Sequence, residues 1–255
     1  MVNRDFETPG LLGDQQPGGA LYVVATPIGN LRDMTLRALD VLRQVDLIAA
    51  EDTRRSKILC DTFEIRAKLI AVNAYTESKQ ASRLIAALTE GKQIAYITDA
   101  GTPTISDPGA RLVATVIAAG HRVVPIPGVS AVSTLLSVAG VYADRYLFIG
   151  FLPRKVGPRE RLVRTAMGLG CPIVIFESPM RVKRTALELR TWLPPGRLVI
   201  GRELTKKFEQ ISYLTSSAHS TKQVEIIEKG EFTIVWSPVD RVAETGSREG
   251  EQPVD

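Results

Sequence analysis

Histidine and cysteine are scarce in this chain of 255 residues, with two of each: His121, His219, Cys60 and Cys171. The histidines lie far apart in sequence, which argues against a histidine-built metal site and against a Ser-His-Asp triad. The cysteines show no paired C-x-x-C spacing, so no zinc site is expected, and both thiols are expected to stay reduced in a cytoplasmic setting. No apolar run is long enough to span a bilayer, and the first residues lack the basic-then-apolar pattern of a secretory signal. There is no G-x-G-x-x-G after the first apolar run, no G-x-x-x-x-G-K-[ST] and no H-E-x-x-H. A nicotinamide dehydrogenase, a P-loop nucleotide hydrolase and a zinc peptidase are therefore poorly supported. Repeats, heptads and low-complexity tracts are also missing.

What is present is an ordinary globular composition, 44% apolar and 24% charged, long enough for one large core or two smaller ones. The formal charge of +4 and a pI near 9.1 permit a nucleic-acid partner without requiring one. Residues 1–19 are polar and rich in Gly and Pro and are expected to be a disordered tail. Short β-rich apolar runs then alternate with helical patterns. Strands are expected at 21–26, 47–50, 68–72, 94–97 and 122–126, and helices at 33–44, 53–61, 78–89, 110–119 and 130–139. Met34, Leu36, Leu39 and Leu42 form the expected buried face of the first helix. Such alternation predicts an α/β fold with a mostly parallel sheet covered on both faces. A second unit begins near Tyr146, with strands at 146–151, 173–177, 198–204, 208–214 and 231–236. Its helices are expected at 159–169 and 181–192, with a weaker one at 223–228. The expected domains are 20–140 and 141–239, followed by a polar tail at 240–255.

The most informative stretch is AYITDAGTPTISDPG, Ala95 to Gly109. A buried strand ends at a carboxylate, Asp99, and opens into a loop of small residues, as ligand sites at strand C-terminal ends do. Gly101 permits close backbone approach or positive φ. A rigid connection capped by Asp107 is the plainer alternative. The loops PIGN and PIPGVSA are similarly small and polar. Together the three suit a ligand with both donors and acceptors, such as a nucleoside-bearing cofactor.

Seven strings extend this reading: YVVATPIGNLRDMTLRALDVL, IAAEDTRRSKILC, ITDAGTPTISDPG, VVPIPGVSAVSTLLSVAG, FIGFLPRK, IVIFESPMRV and GRELTKKFEQ. In this order, from Leu21 to Trp236, they resemble the ribosomal RNA small subunit methyltransferase I family of the tetrapyrrole-methylase fold. AEDTR with GRELTK separates that branch from the corrin and porphyrin methylases. The resemblance implies two α/β domains, the second with a mixed sheet. It implies S-adenosyl-L-methionine as cofactor, held in the cleft between the domains, and a homodimer. It also implies methylation of the ribose 2′-hydroxyl of a cytidine, cytidine 1402, in 16S ribosomal RNA of the small subunit. Members often carry a further helical segment after the last strand, whereas this chain turns polar soon after Pro238.

Carried over by position, the resemblance implies that Pro27, Ile28 and Gly29 form the first cofactor loop. It places Asp99, Ala100, Gly101, Thr102 and Pro103 under the cofactor, and Ser130 and Ala131 against it. Phe176 and Glu177 become the second domain's contribution. Each has a plainer alternative: Phe176 as core, Ser130 as a helix cap, Pro27 and Gly29 as turn residues. For the chemistry, a 2′-hydroxyl needs a base or a cation beside the forming alkoxide. Glu51, Asp52 and Asp33 are the candidate bases, and Arg54 and Lys206 the candidate cations. Asp52 could equally cap the helix that follows it. Four basic clusters could meet RNA: Arg54, Arg55 and Lys57; Arg154, Lys155 and Arg159; Arg181, Lys183 and Arg184; Arg202, Lys206 and Lys207. The first and fourth, beside strand ends, are favoured, and the third reads as a solvated helix face. With aromatics at 6% of the chain, recognition is expected to rest on backbone and shape, with the target nucleotide drawn from its stack. A tetrapyrrole or corrin methylase and a non-catalytic ribosome-associated protein of the same fold remain the alternatives.

Overall fold

The computed structural model describes residues 18–215 and 226–238. The expected tails, apart from Gly18 and Gly19, and the start of the expected helix at 223–228 lie outside them. The described part of that helix, 226–228, is not helical. The chain forms two compact units, Met1–Ser130 and Ala131–Asp255, so the first unit ends earlier than the expected boundary near Gly140.

In the first unit, β1 (Ala20–Val24), β2 (Leu47–Ala50), β3 (Lys68–Ala71), β4 (Gln93–Ile97) and β5 (Arg122–Ile126) form one sheet in the order β3-β2-β4-β1-β5. Every pairing is parallel. The helices that return the chain are α1 (Leu36–Gln44), α2 (Thr53–Thr62), α3 (Glu77–Thr89) and α4 (Ala110–Ala118). Alternate strand residues enter different cores, as the pleat requires. Tyr22, Ile48, Ala95 and Ile97 face one cluster, with Ala38, Val41 and Leu42 of α1. Leu21, Ala49, Ile94 and Tyr96 face another, with Leu84, Leu88, Leu112 and Val116 of α3 and α4. Each large aliphatic side chain fully buried this way contributes roughly 1.5–3 kcal/mol relative to exposure. Both faces being covered explains why these strands are continuous apolar runs.

The first helix differs from expectation. A 3-10 turn over Leu31–Asp33 comes first, and α1 then begins after Thr35, whose hydroxyl accepts from the Ala38 amide at 3.1 Å. That cap fixes the helix phase so that Ala38, Val41 and Leu42 point inward while Leu36 is 80% exposed.

The second unit opens with α5 (Ala131–Val138), which packs on its sheet. That sheet has the order β6-β7-β10-β8-β9. Its strands are β6 (Leu147–Phe151), β7 (Ile173–Glu177), β8 (Gly196–Arg202), β9 (Gln210–Thr215) and β10 (Phe232–Pro238). β6 and β7 run parallel, and the remaining pairs are antiparallel. Helices α6 (Val156–Met167) and α7 (Val182–Trp192) bury Val163, Ala166, Val182, Ala186 and Leu189 with Ile173, Ile175, Ile234 and Trp236. No described helix is long and apolar enough to cross a membrane.

Candidate functional site

Three loops leave the C-terminal ends of the adjacent strands β1, β4 and β5, and the backbone ties them together. Thr26 and Gly101 exchange two backbone hydrogen bonds of 2.9 Å, and the Thr26 hydroxyl donates to the Thr98 carbonyl at 3.1 Å. The Thr102 hydroxyl donates to the Val129 carbonyl at 3.3 Å, and the Ala25 amide to the Ile126 carbonyl at 3.1 Å. PIGN, DAGTP and PGVS therefore form one cluster. Thr26, absent from the sequence-based candidates, is its fastener. A polar residue closing an apolar strand was the available signal.

The conformation explains the residue choices. Gly101 has φ +77, and a Cβ there would lie 3.5 Å from Ile28 Cγ2, so backbone angle more than space demands glycine. Gly109 has φ +119 and serves as N-cap of α4; a Cβ there would come within 2.2 Å of Tyr96 Cε1. Asp107 instead accepts from the Thr98 hydroxyl at 3.3 Å. Thr104 and Ser106, without glycine's freedom, also hold positive φ, at +74 and +63. Backbone strain of this kind concentrates where surroundings enforce a functional shape.

Asp99 is the pivotal carboxylate. Its Oδ2 pairs with Arg55 Nη1 at 3.0 Å, and its amide donates to Glu51 Oε2 at 3.2 Å. Its Oδ1 is buried with no hydrogen-bond partner, and the same is true of Asp33 Oδ2 in the loop after β1. A buried orphan acceptor is costly unless something supplies a proton donor. Glu51, at the end of β2, has its pKa raised, chiefly by burial and further by the charges of Asp99 and Asp52. The Asp99 amide and the Arg55 guanidinium oppose the shift.

Asp52 takes its plainer role. Its carboxylate caps α2, accepting from the Arg54 amide at 2.9 Å, and pairs with the Arg54 guanidinium at 2.7 Å. Those bonds hold its pKa at about 2, where it is a poor proton acceptor. Arg54 is exposed and leans on Asp52.

In the second unit Phe176 makes edge contacts with Phe148 and Phe151 at centroid distances of 4.8 and 5.8 Å. The Glu177 side chain is wholly buried. It accepts from the Ser178 amide and the Thr185 hydroxyl, both at 2.8 Å, and pairs with Arg181 at 3.2 Å. It therefore anchors the start of α7, and its carboxylate is not presented to a ligand. Arg181 also donates to the Leu152 carbonyl at 2.9 Å, so it is no solvated face residue. Arg159 is buried: it grips Glu188 with two bonds of 2.7 and 2.8 Å and donates to the carbonyls of Pro153 and Arg154. Two arginines expected at the surface thus hold the FLPRK loop from beneath. Lys206 is half-buried and doubly paired, with Glu203 at 3.0 Å and Glu231 at 2.7 Å. Ser130 ends the first unit, half-buried, and Ala131 begins α5. Among the described residues no three His, Cys, Asp or Glu side chains gather as a metal-binding set.

A parallel sheet whose strand-end loops form a strained, acceptor-bearing cluster, joined to a mixed-sheet unit, defines a two-unit α/β methylase architecture. Residues 20–218 match the family described as Tetrapyrrole (Corrin/Porphyrin) Methylases. A solved structure of uroporphyrin-III C-methyl transferase from Thermus thermophilus, complexed with S-adenyl homocysteine, superposes with a TM-score of 0.56 at 16% identity. The superposition covers 85% of this chain and 97% of that one, so the shared property is the fold. Ribosomal RNA small subunit methyltransferase I of Neisseria meningitidis serogroup B is 40% identical over 94% of this chain and 84% of its own length. The Escherichia coli O157:H7 protein of the same name is 46% identical over 76% and 68%. The chain belongs to the ribosomal RNA small subunit methyltransferase I family.

Proposed function

We propose that the chain is a cytoplasmic, S-adenosylmethionine-dependent enzyme that methylates the ribose 2′-hydroxyl of cytidine 1402 in 16S ribosomal RNA. Family membership supplies the substrate class. The observation that carries the site is the fastened loop cluster with the buried, unpartnered Asp99 Oδ1. A nucleoside fits it, because ribose hydroxyls donate where this oxygen can only accept, and Gly101 keeps the adjoining backbone free of a side chain. Pro27, Ile28, Gly29, Ala100, Thr102, Pro103 and Ser130 complete the proposed wall. When bound, the cofactor supplies a methyl group already activated on a sulfonium.

The chain's own residues then have to position the acceptor oxygen and handle its proton. Glu51 is the base we assign, since it stands beside Asp99 at a strand end and its burial favours taking up a proton. Asp52, with its depressed pKa, remains the helix cap that holds Arg54. Arg54 and Arg55 offer positive charge on the same strand end as Glu51. Two chains are proposed to pair as a homodimer; a monomer mass by light scattering at micromolar concentration refutes this.

The test is transfer of a tritiated methyl group to free 16S RNA, assembled small subunits and whole ribosomes, followed by nucleoside digestion. Label in 2′-O-methylcytidine is expected. Transfer to uroporphyrinogen-like substrates instead, or failure to bind the methyl donor by calorimetry, overturns the reading.

A further inference from the structure

The β8–β9 turn, Glu203 to Glu209, is built as a rigid mount. Arg202 pairs with Gln210 at the base of the ladder. Glu203 and Thr205 both adopt positive φ, +50 and +66, although neither is glycine. The fold enforces this from inside. Lys206 Nζ bridges Glu203 and Glu231 at 3.0 and 2.7 Å, and Glu203 Oε1 also accepts from the Glu231 amide at 2.9 Å. Arg202 Nη1 donates to the Phe208 carbonyl at 3.0 Å and its Nε to the Lys229 carbonyl at 2.7 Å. The Glu209 carboxylate turns back to accept from the Thr205 amide. Leu204 is buried beneath the turn. Gly230 leaves room for Glu203, since a Cβ at Gly230 would come within 2.5 Å of its side chain. Two cations that looked available for RNA, Arg202 and Lys206, are thus structural.

The exposed residues of this mount are one cation, one aromatic ring and Glu209, whose carboxylate is turned back onto the Thr205 amide. Phe208 is 64% exposed, Lys207 is exposed, and Lys207 Nζ lies 5.6 Å from the Phe208 ring centroid. The ring keeps most of its apolar surface available to a partner that can bury it. A ring paired with a cation matches an unpaired nucleotide, whose base has a face to stack and whose phosphate is anionic.

We propose that Phe208 and Lys207 form an RNA contact, in which an unpaired base of the ribosomal RNA substrate stacks on Phe208 and a phosphate beside it meets Lys207. This deepens the RNA-methylation reading and rests on it for the identity of the polymer. The turn's carboxylates are occupied, Glu203 and Glu231 by Lys206 and Glu209 by the Thr205 amide, while Lys207 stands beside the exposed ring.

The experiment uses the full chain and a fluorescently labelled RNA carrying the target loop, with anisotropy measured across salt concentrations. Phe208→Ala is expected to weaken binding about tenfold, within the span known for loss of one base–aromatic stack. Phe208→Tyr should bind within about threefold of the parent. Lys207→Ala should flatten the slope of log affinity against log salt by roughly 0.7–0.9. Calorimetric affinity for the methyl donor should be unchanged in all three, and tryptophan emission should report an intact fold. Parent-like RNA binding by Phe208→Ala overturns the proposal, as does an equal loss in Phe208→Tyr. A Phe208→Ala chain that changes sedimentation mass but keeps its RNA affinity assigns the ring to a protein contact and also overturns it. If the parent chain binds RNA but transfers no methyl group, the enzyme reading fails while these binding comparisons still decide the contact.

Discussion

Replacing Arg159 with alanine tests the view that the FLPRK loop is held by a buried cation. The guanidinium is 2% exposed and makes two bonds to Glu188 and one each to the carbonyls of Pro153 and Arg154. Its carbon lies 5.8 Å from the Trp192 ring centroid. Removing one partner of a buried pair costs about 3–5 kcal/mol, because the other charge is left behind. Arg184 still reaches Glu188 at 2.8 Å, which pulls the expectation to the lower end, about 3 kcal/mol. The comparison variant is Arg184→Ala: the same carboxylate loses an arginine that is 60% exposed, and the cost should be under 1 kcal/mol.

Urea unfolding followed by tryptophan emission suits this test, since both tryptophans, Trp192 and Trp236, lie in the second unit. The signal reports that unit alone. Burial works against the Glu188 charge, but the bonds from Arg159 and Arg184 outweigh it and hold the carboxyl below its usual range. A depressed folded pKa gives stability that is present above the unfolded value and lost as pH falls through the folded one. The gap between the parent and Arg159→Ala should therefore be full at pH 7 and narrow below about pH 4. Equal costs for Arg159→Ala and Arg184→Ala, or a gap that widens in acid, would refute the buried-clamp argument.

Three further outcomes are expected. Gly101→Ala should lose about 1 kcal/mol of stability through its positive φ and bind the methyl donor at least tenfold more weakly, by calorimetry; parent-like binding would show that the loop is not the cofactor wall. Glu51→Gln should lower the methyl-transfer rate by roughly 10²–10⁴ with donor affinity retained, and should remove an acid limb that in the parent lies above the ordinary carboxylate pKa. An unchanged pH–rate profile would acquit Glu51. Gly109→Ala should destabilise the first unit by about 2 kcal/mol or more, since strain at φ +119 adds to a clash with Tyr96, and tyrosine-region circular dichroism should reveal it.

The sequence by itself determined the elements and most of their order. Runs such as Leu47–Ala50 and Ile173–Glu177 have no polar alternation, so they had to be buried on both faces, and the observed strands coincide with them. The strand-end loops were legible for a local reason as well, because Gly101 permits the positive φ that the loop adopts. What the sequence could not decide was which charge is near which. Arg159, Arg181 and Lys206 carry the same letters as Arg54 and Lys207, yet the first group is buried or half-buried in ion pairs while the second faces water. Two of the partners, Glu188 for Arg159 and Glu231 for Lys206, are distant in sequence and are set by helix packing and strand pairing, whereas Glu177 lies four residues before Arg181. Leu36 likewise fits the apolar period but is exposed, because the Thr35 cap sets where the helix starts. Desolvation and pairing are properties of position in space, so only the tertiary structure separated the cations buried in the fold from those that stay at the surface.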